Sequence, residues 1–178
     1  MVFTVGHGTR SSEAFAGLLL DAEVSTLIDI RRFPGSRRHP QFGRDALAAA
    51  LREERIGYEW QGDALGGRRS GRPDSRHTAL RNRSFSGYAD HMDSPEFRTA
   101  VDALIARADV ERPSIMCAET LWWRCHRMLV ADALVMRGAT VIHLLERGER
   151  QPHRLTAAVR QGDDGWPVYD RQQTIPGL

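Results

Sequence analysis

The chain has 178 residues and a formal net charge of +2, with 41% hydrophobic and 27% charged residues. This is the composition of a folded globular protein; it excludes a chain disordered throughout, and no apolar run approaches the roughly 20 residues of a membrane span. The length fits a single domain that buries about 70% of its unfolded surface and needs neither disulfide nor metal to fold.

The element pattern alternates strand and helix. Phe3-Thr4-Val5 reads as a first strand, Ser12 to Ala22 as a helix with Phe15, Leu18 and Leu19 on one face, and Thr26 to Ile30 as a buried strand. Asp45 to Glu54 is helical, and Gly57 to Trp60 is a short third strand. The segment from Gln61 to Asn82 lacks periodicity. It is long for a connection inside a compact domain, so it is expected to be a functional loop. Ser94-Pro95-Glu96 starts a helix that runs to about Arg107: serine caps, proline fits the first turn and glutamate suits the positive helix end. Pro113 to Ala118 is a fourth strand, Trp123 to Arg137 a helix stopped by Gly138, and Ala139 to Leu145 a fifth strand. A short helix at Thr156 to Arg160 and a strand-like Val168-Tyr169 follow. The expected fold is a single α/β domain over residues 1–178, with a mostly parallel five-stranded sheet and helices on both faces. It carries an Arg/Gly-rich loop at 61–83 and a polar C-terminal segment at 148–178.

All 25 basic residues are arginine. The lack of lysine excludes pyridoxal-phosphate and lysine-dependent P-loop chemistry, and it leaves planar guanidinium forks suited to phosphate or carboxylate. Residues 31–44 hold five of the arginines and residues 68–83 hold six, an anion-facing mouth if both loops leave the same sheet edge. Two cysteines are too few for a disulfide framework. Residues 1–5 carry no signal-peptide features and residues 175–178 no lipidation signal, so a reduced, cytoplasmic protein without a membrane partner is expected.

Ligands of parallel sheets bind beyond the carboxyl ends of the strands. There the sequence places Gly6-His7-Gly8-Thr9-Arg10, Asp29-Ile30-Arg31-Arg32, and the dense run from Cys117-Ala118-Glu119 to Trp122-Trp123-Arg124-Cys125-His126-Arg127. Cys125 is expected in the first helical turn, where the helix dipole and neighbouring cations favour a thiolate. Cys117 stands at a strand end, a position where nucleophiles occur. Both also fit the small buried residues that free cysteines usually are. His143, mid-strand among apolar residues, reads as a satisfied core histidine.

These residues resemble the DUF488 family of uncharacterised bacterial and archaeal proteins. The resemblance rests on residues 4–10, with Gly8 where serine is commoner, and on residues 27–37 running on to Pro40-Gln41-Phe42. It continues through Leu65-Gly66-Gly67 and is strongest at Met116-Cys117-Ala118-Glu119 with Trp123-Arg124-Cys125-His126-Arg127. His153-Arg154-Leu155-Thr156 and Tyr169 extend it to the end. The resemblance implies the fold and the choice of residues, and it carries no activity. A fainter similarity to rhodanese-like and cysteine-phosphatase domains concerns only the position of a cysteine after a strand. Six residues separate Cys117 from Arg124 where the phosphatase motif has five, and the loop holds no glycine.

Three readings follow. In the first, an enzyme uses Cys117 or Cys125 on a phosphate-bearing substrate, a nucleotide or nucleic acid, without a cofactor. Glu119 and His7 handle protons, and Asp29 orients His7 or an arginine. Arg10, Arg31, Arg37, Trp123, Arg124, His126 and Arg127 bind the substrate. In the second, the arginine loops take phosphates and Trp122 or Trp123 and Phe33 take bases, a nucleic-acid-binding module without catalysis. The third is a metal site of Cys117, Cys125, His126 and His7, against which the adjacency of Cys125 and His126 counts.

Overall fold

A computed structural model describes residues 1–35 and 37–170. Five strands form the parallel part of the sheet: β1 (Val2–Gly6), β2 (Thr26–Asp29), β3 (Gly57–Trp60), β4 (Pro113–Cys117) and β5 (Val141–Leu144). A sixth, β6 (Arg150–Pro152), pairs antiparallel with β5, giving the order β3-β2-β4-β1-β5-β6. The sequence expectation of five strands missed β6 because all its residues are exposed and polar or proline, so no apolar period marks it. A separate hairpin joins β7 (Val159–Gln161) to β8 (Pro167–Tyr169). The helix expected at Thr156 to Arg160 is therefore a turn leading into β7. The Thr156 amide and hydroxyl are both held by the Asp132 carboxylate, which fixes that turn. The C-terminal segment is described only to Asp170; residues 171–178 lie outside the described residues.

Two helix layers cover the sheet. On one face lie α1 (Ser12–Asp21) and α2 (Arg44–Glu53), whose Phe15, Leu18, Leu19, Leu47 and Leu51 bury against Phe3, Val5, Leu27 and Met116. After a single turn, α3 (Gly62–Leu65), come α4 (Arg83–Met92), α5 (Pro95–Arg107) and α6 (Arg127–Met136) on the other face. They pack on Val2, Ile28, Ile115, Cys117 and Val141. Strand alternation produces this division, since neighbouring residues such as Met116 and Cys117 point to opposite layers. The sequence reading left α4 unassigned. It is capped by Asn82, whose side chain accepts from the Ser84 and Phe85 amides, and it buries Tyr88, Ala89 and Met92. Among the described residues no helix is long and apolar enough to cross a membrane.

One buried polar chain crosses this second layer. Asp132 on α6 is fully buried, and its carboxylate accepts from Tyr169 Oη (3.0 Å), from Thr156, and from His153 Nε2 (3.0 Å). His153 Nδ1 is then left to accept from His143 Nε2 at 2.9 Å, and His143 Nδ1 from Thr4 Oγ1 at 2.7 Å. Arg127 Nη1 donates to the same Thr4 oxygen at 3.2 Å. Each member has one donor and one acceptor in sequence, so the bonds run in a single direction from the guanidinium to the carboxylate. Trp122 closes the chain from outside, its ring 4.2 Å from that of His143 and inclined by 6°. His143 is thus the satisfied buried histidine that the sequence reading favours.

The Asp132→Ala variant leaves His153, Tyr169 and Thr156 without their acceptor and Arg127 without the far end of its chain. The expected loss of stability is about 3–5 kcal/mol, the cost of breaking a buried charged network. Urea denaturation monitored by circular dichroism measures it, and an unchanged midpoint would show that the chain carries no stability.

Candidate active site at the carboxyl edge

The connections after β1 and β2 pass to the α1–α2 layer, whereas the connection after β4 leads to α6 on the opposite layer. Strand β4 lies between β2 and β1. Its connection leaves to one face while those of both neighbouring strands leave to the other, the strand arrangement beside which ligands of such sheets bind. Cys117 is the last residue of that strand, paired with Gly6. A Cβ at Gly6 would sit 2.0 Å from the Glu119 carbonyl oxygen and 2.8 Å from Arg127 Nη2, so only glycine lets the Arg127 guanidinium pass beneath the loop.

Cys125 does not open α6 as the sequence suggests. Trp122–Arg124 forms one turn of 3-10 helix, Cys125 is extended (φ −127°, ψ 151°), and α6 begins at Arg127. The stacking of Trp122 on His143, with its Nε1 donating to Gln151, holds this stretch out of helical register. The outcome is a cluster. Cys125 Sγ lies 3.6 Å and Cys117 Sγ 3.9 Å from His126 Nδ1, and the three ligand atoms fall within 4.8 Å of one another. The Arg127 amide points at Cys125 Sγ from 3.5 Å. Hydrogen bonding between the sulfurs lowers the Cys125 pKa well below its usual value and, together with burial, raises that of Cys117; His126 and Arg127 further favour the Cys125 thiolate. Tyr88 packs its ring 4.9 Å from that of His126 and donates its hydroxyl to the Leu65 carbonyl. Both sulfurs are nearly enclosed, Cys117 9% and Cys125 5% exposed, while His126 is half-buried.

His7 and Asp29 make their contacts on the other face. His7 stacks on Phe42 at 4.2 Å, and Phe42 belongs to the α1–α2 layer. Arg31 Nη1 donates to His7 Nε2 at 3.3 Å, which leaves Nδ1–H to donate to the Gly8 carbonyl at 2.9 Å. Arg31 is itself bound through Nε (2.9 Å) and Nη2 (2.6 Å) to the Asp29 carboxylate, which also accepts from Tyr58. The residues that the sequence gathers into one rim therefore form two groups, with the sulfurs on the α4–α6 side and His7, Asp29 and Arg31 on the α1–α2 side. Arg10 is likewise turned inward, to the carbonyls of Gly6 and Leu145. Arg127 is buried against Thr4 and the Glu119 carbonyl. The Glu119 carboxylate accepts from the Leu121 amide, on the surface. Arg37, Trp123 and Arg124 remain exposed. Gly67 and Tyr88 beside the cluster escaped the sequence reading as site residues; the Gly66-Gly67 pair was the available signal.

Cys117, Cys125 and His126 are the described residues whose donors suit a soft metal. A second group, His77, Asp90 and Asp93, is close enough to hold an ion. Its carboxylates are already matched by guanidinium groups: Arg72 and Arg76 reach Asp93 at 3.1 and 2.5 Å, and the Arg72 amide donates to Asp90. It fastens the 66–82 loop to α4.

The family model for the "Domain of unknown function DUF488" matches residues 11–134. The chain belongs to this family. The matched stretch runs from α1 into α6 and takes in both cysteines, His126, Arg127, Asp29 and Arg31; His7 and Arg10 lie outside it. No curated protein and no solved structure matches this DUF488 chain.

Burial, reinforced by the Arg31 charge, lowers His7 from 6.5 to about 4, and burial with the adjacent His153 lowers His143 to about 3. Both rings are neutral when folded, and the unfolded chain takes up protons first. Their contribution to stability is therefore complete above pH 6.5 and declines as pH falls toward 4 and 3, by at most about 1.4 kcal/mol per pH unit for each ring. Denaturation curves collected across that window are expected to show the decline, and His7→Asn to flatten it.

Proposed function

We propose that this DUF488 protein is an enzyme of the reducing cytoplasm. Its reacting centre is the Cys117–Cys125–His126 cluster, and its substrate carries phosphate, as a nucleotide or nucleic acid. The observation that carries this reading is position: a buried sulfur–imidazole cluster lies at the end of β4, whose connection leaves to the opposite face from those of its two neighbours, beside loops that expose arginine and aromatic side chains. Phe33, on the loop after β2, is 63% exposed and Trp123, on the loop after β4, 47% exposed. Arg37, Arg38, Arg68 and Arg124 are exposed on the connections that follow β2, β3 and β4. Arg32 Nη1 donates to the Arg68 carbonyl at 2.9 Å, tying two of these loops together. Flat aromatic faces beside guanidinium forks suit bases and phosphates respectively. The inward-facing Arg10, Arg31 and Arg127 hold the framework that presents this rim and do not touch substrate.

A second reading, a nucleic-acid-binding module without catalysis, is favoured by the enclosure of both sulfurs beside that exposed rim. One experiment separates the two. Binding of fluorescent mononucleotides and single-stranded oligonucleotides is measured by anisotropy at low and moderate salt, with product formation followed by mass spectrometry. Binding is expected to weaken with salt, and Phe33→Ala or Trp123→Ala to lose about 1–3 kcal/mol for each base no longer stacked. Turnover is expected to vanish in Cys125→Ser while binding persists. Binding without turnover in the wild type assigns the binding module, and no binding at all removes both readings.

A further inference from the structure

We propose that Cys117 Sγ, Cys125 Sγ and His126 Nδ1 together bind one soft, tetrahedrally coordinated divalent metal ion, zinc(II) being the best fit. The inference rests on the reading of this cluster as the reacting centre and names the cofactor that would act there. The geometry is the first support. Zinc–sulfur bonds of about 2.3 Å and zinc–nitrogen bonds of about 2.0–2.1 Å at tetrahedral angles require ligand separations of about 3.6 Å for S···N and about 3.8 Å for S···S. The observed S···N separations are 3.6 and 3.9 Å, and all three donors lie within 4.8 Å. The shift needed on binding is at most about an ångström, within the reach of side-chain rotation alone. Adjacency in sequence, which counts against Cys125 and His126 sharing an ion, is overcome because Cys125 is extended while His126 already caps α6. The backbone turn between them brings sulfur and Nδ1 to the same side.

Three further features point to the same place. Among the described residues the imidazole's polar side-chain partners are these two sulfurs, while its Nε2 is buried without a hydrogen bond. The ring is held by the Tyr88 ring 4.9 Å away and by what sits at Nδ1. Gly67 faces that atom, and a Cβ there would stand 2.9 Å from it, so the space beside the donor exists only because residue 67 lacks a side chain. Gly67 has no positive φ, which leaves proximity rather than backbone conformation as its role. The Arg127 amide donates to Cys125 Sγ at 3.5 Å, the outer-shell contact that steadies a ligating thiolate. Two thiolates select soft ions over magnesium or calcium. Three protein ligands leave a fourth tetrahedral position, the arrangement of catalytic rather than structural zinc. His7 contributes nothing to this set, since its ring lies in the other layer.

The test uses the full chain, stripped with chelator under reducing conditions. Zinc is titrated by calorimetry and cobalt(II) by absorption. One ion per chain is expected, with sulfur-to-cobalt charge transfer and the strong visible bands of tetrahedral cobalt. Zinc-loaded wild-type protein is expected to resist iodoacetamide at both cysteines. Cys117→Ser, Cys125→Ser and His126→Gln are each expected to weaken binding by more than about 100-fold, beyond what an outer-shell change costs. Gly67→Ala is expected to weaken it as well, whereas Asp93→Asn in the other cluster leaves it unchanged. Circular dichroism checks each fold; should a cysteine variant unfold, the alkylation protection of the wild type decides the matter. No uptake, cobalt without charge transfer, or uptake that survives alkylation of both sulfurs overturns the proposal. Turnover of phosphate substrates is assayed separately. Zinc uptake without turnover leaves the metal site standing and removes the functional reading, whereas turnover in the stripped protein without uptake does the reverse.

Discussion

A cation and an anion, both removed from water, face the same problem on one helix. Arg127 opens α6 and Asp132 lies five residues on, with 1% and 0% of their surfaces exposed. Neither touches the other. Thr4, His143 and His153 join them, each passing one hydrogen bond along, so that donor meets acceptor from the guanidinium to the carboxylate. Isolated buried charges are costly, and the chain provides each with polar partners through three strands and the segment after β6. The same guanidinium grips the carbonyls of Glu119 and Thr120, and its amide reaches Cys125. The loop that carries the sulfurs is thereby fixed to the centre of the sheet.

Strand alternation explains why the sequence's single constellation divides into two. Cys117 and Met116 are neighbours, but one faces α4–α6 and the other α1–α2. His7, one residue beyond β1, follows the α1–α2 layer. The two groups have different characters. Around Arg31 the hydrogen bonds are dense and satisfied, a bracket that locks the loops after β1 and β2. Around His126 they are sparse, with a buried nitrogen left over and a glycine keeping room open. Sites that receive something from outside tend to have the second character.

Much of the architecture could be read from the chain. The five parallel strands, the serine–proline start of α5 and the placement of polar residues at strand ends all follow from local periodicity and capping. Where the reading faltered, the deciding interaction was distant. Trp122 keeps Cys125 out of α6 by stacking on His143, twenty-one positions away in sequence. Thr156 turns toward Asp132 rather than into a helix. The acids that answer Arg72 and Arg76 are Asp90 and Asp93, brought in by a helix that had gone unassigned. The cysteine–histidine cluster was legible in its members and not in its membership: spacing could not exclude His7, because the face on which a loop residue lands depends on the layer that receives it.

The route of the buried polar chain bears on how the protein is made. On the ribosome, Thr4 emerges first and Arg127 and Asp132 much later, yet the wire between them is incomplete until His153 has been added, and Tyr169 completes the acid's shell later still. A nascent polypeptide that has already laid down all five parallel strands can seat Arg127 on Thr4 and the Glu119 carbonyl, yet Asp132 still lacks His153, Thr156 and Tyr169. Closure of this network thus waits on the residues from His153 to Tyr169, and a chain that stops short of them is left with an unanswered buried acid.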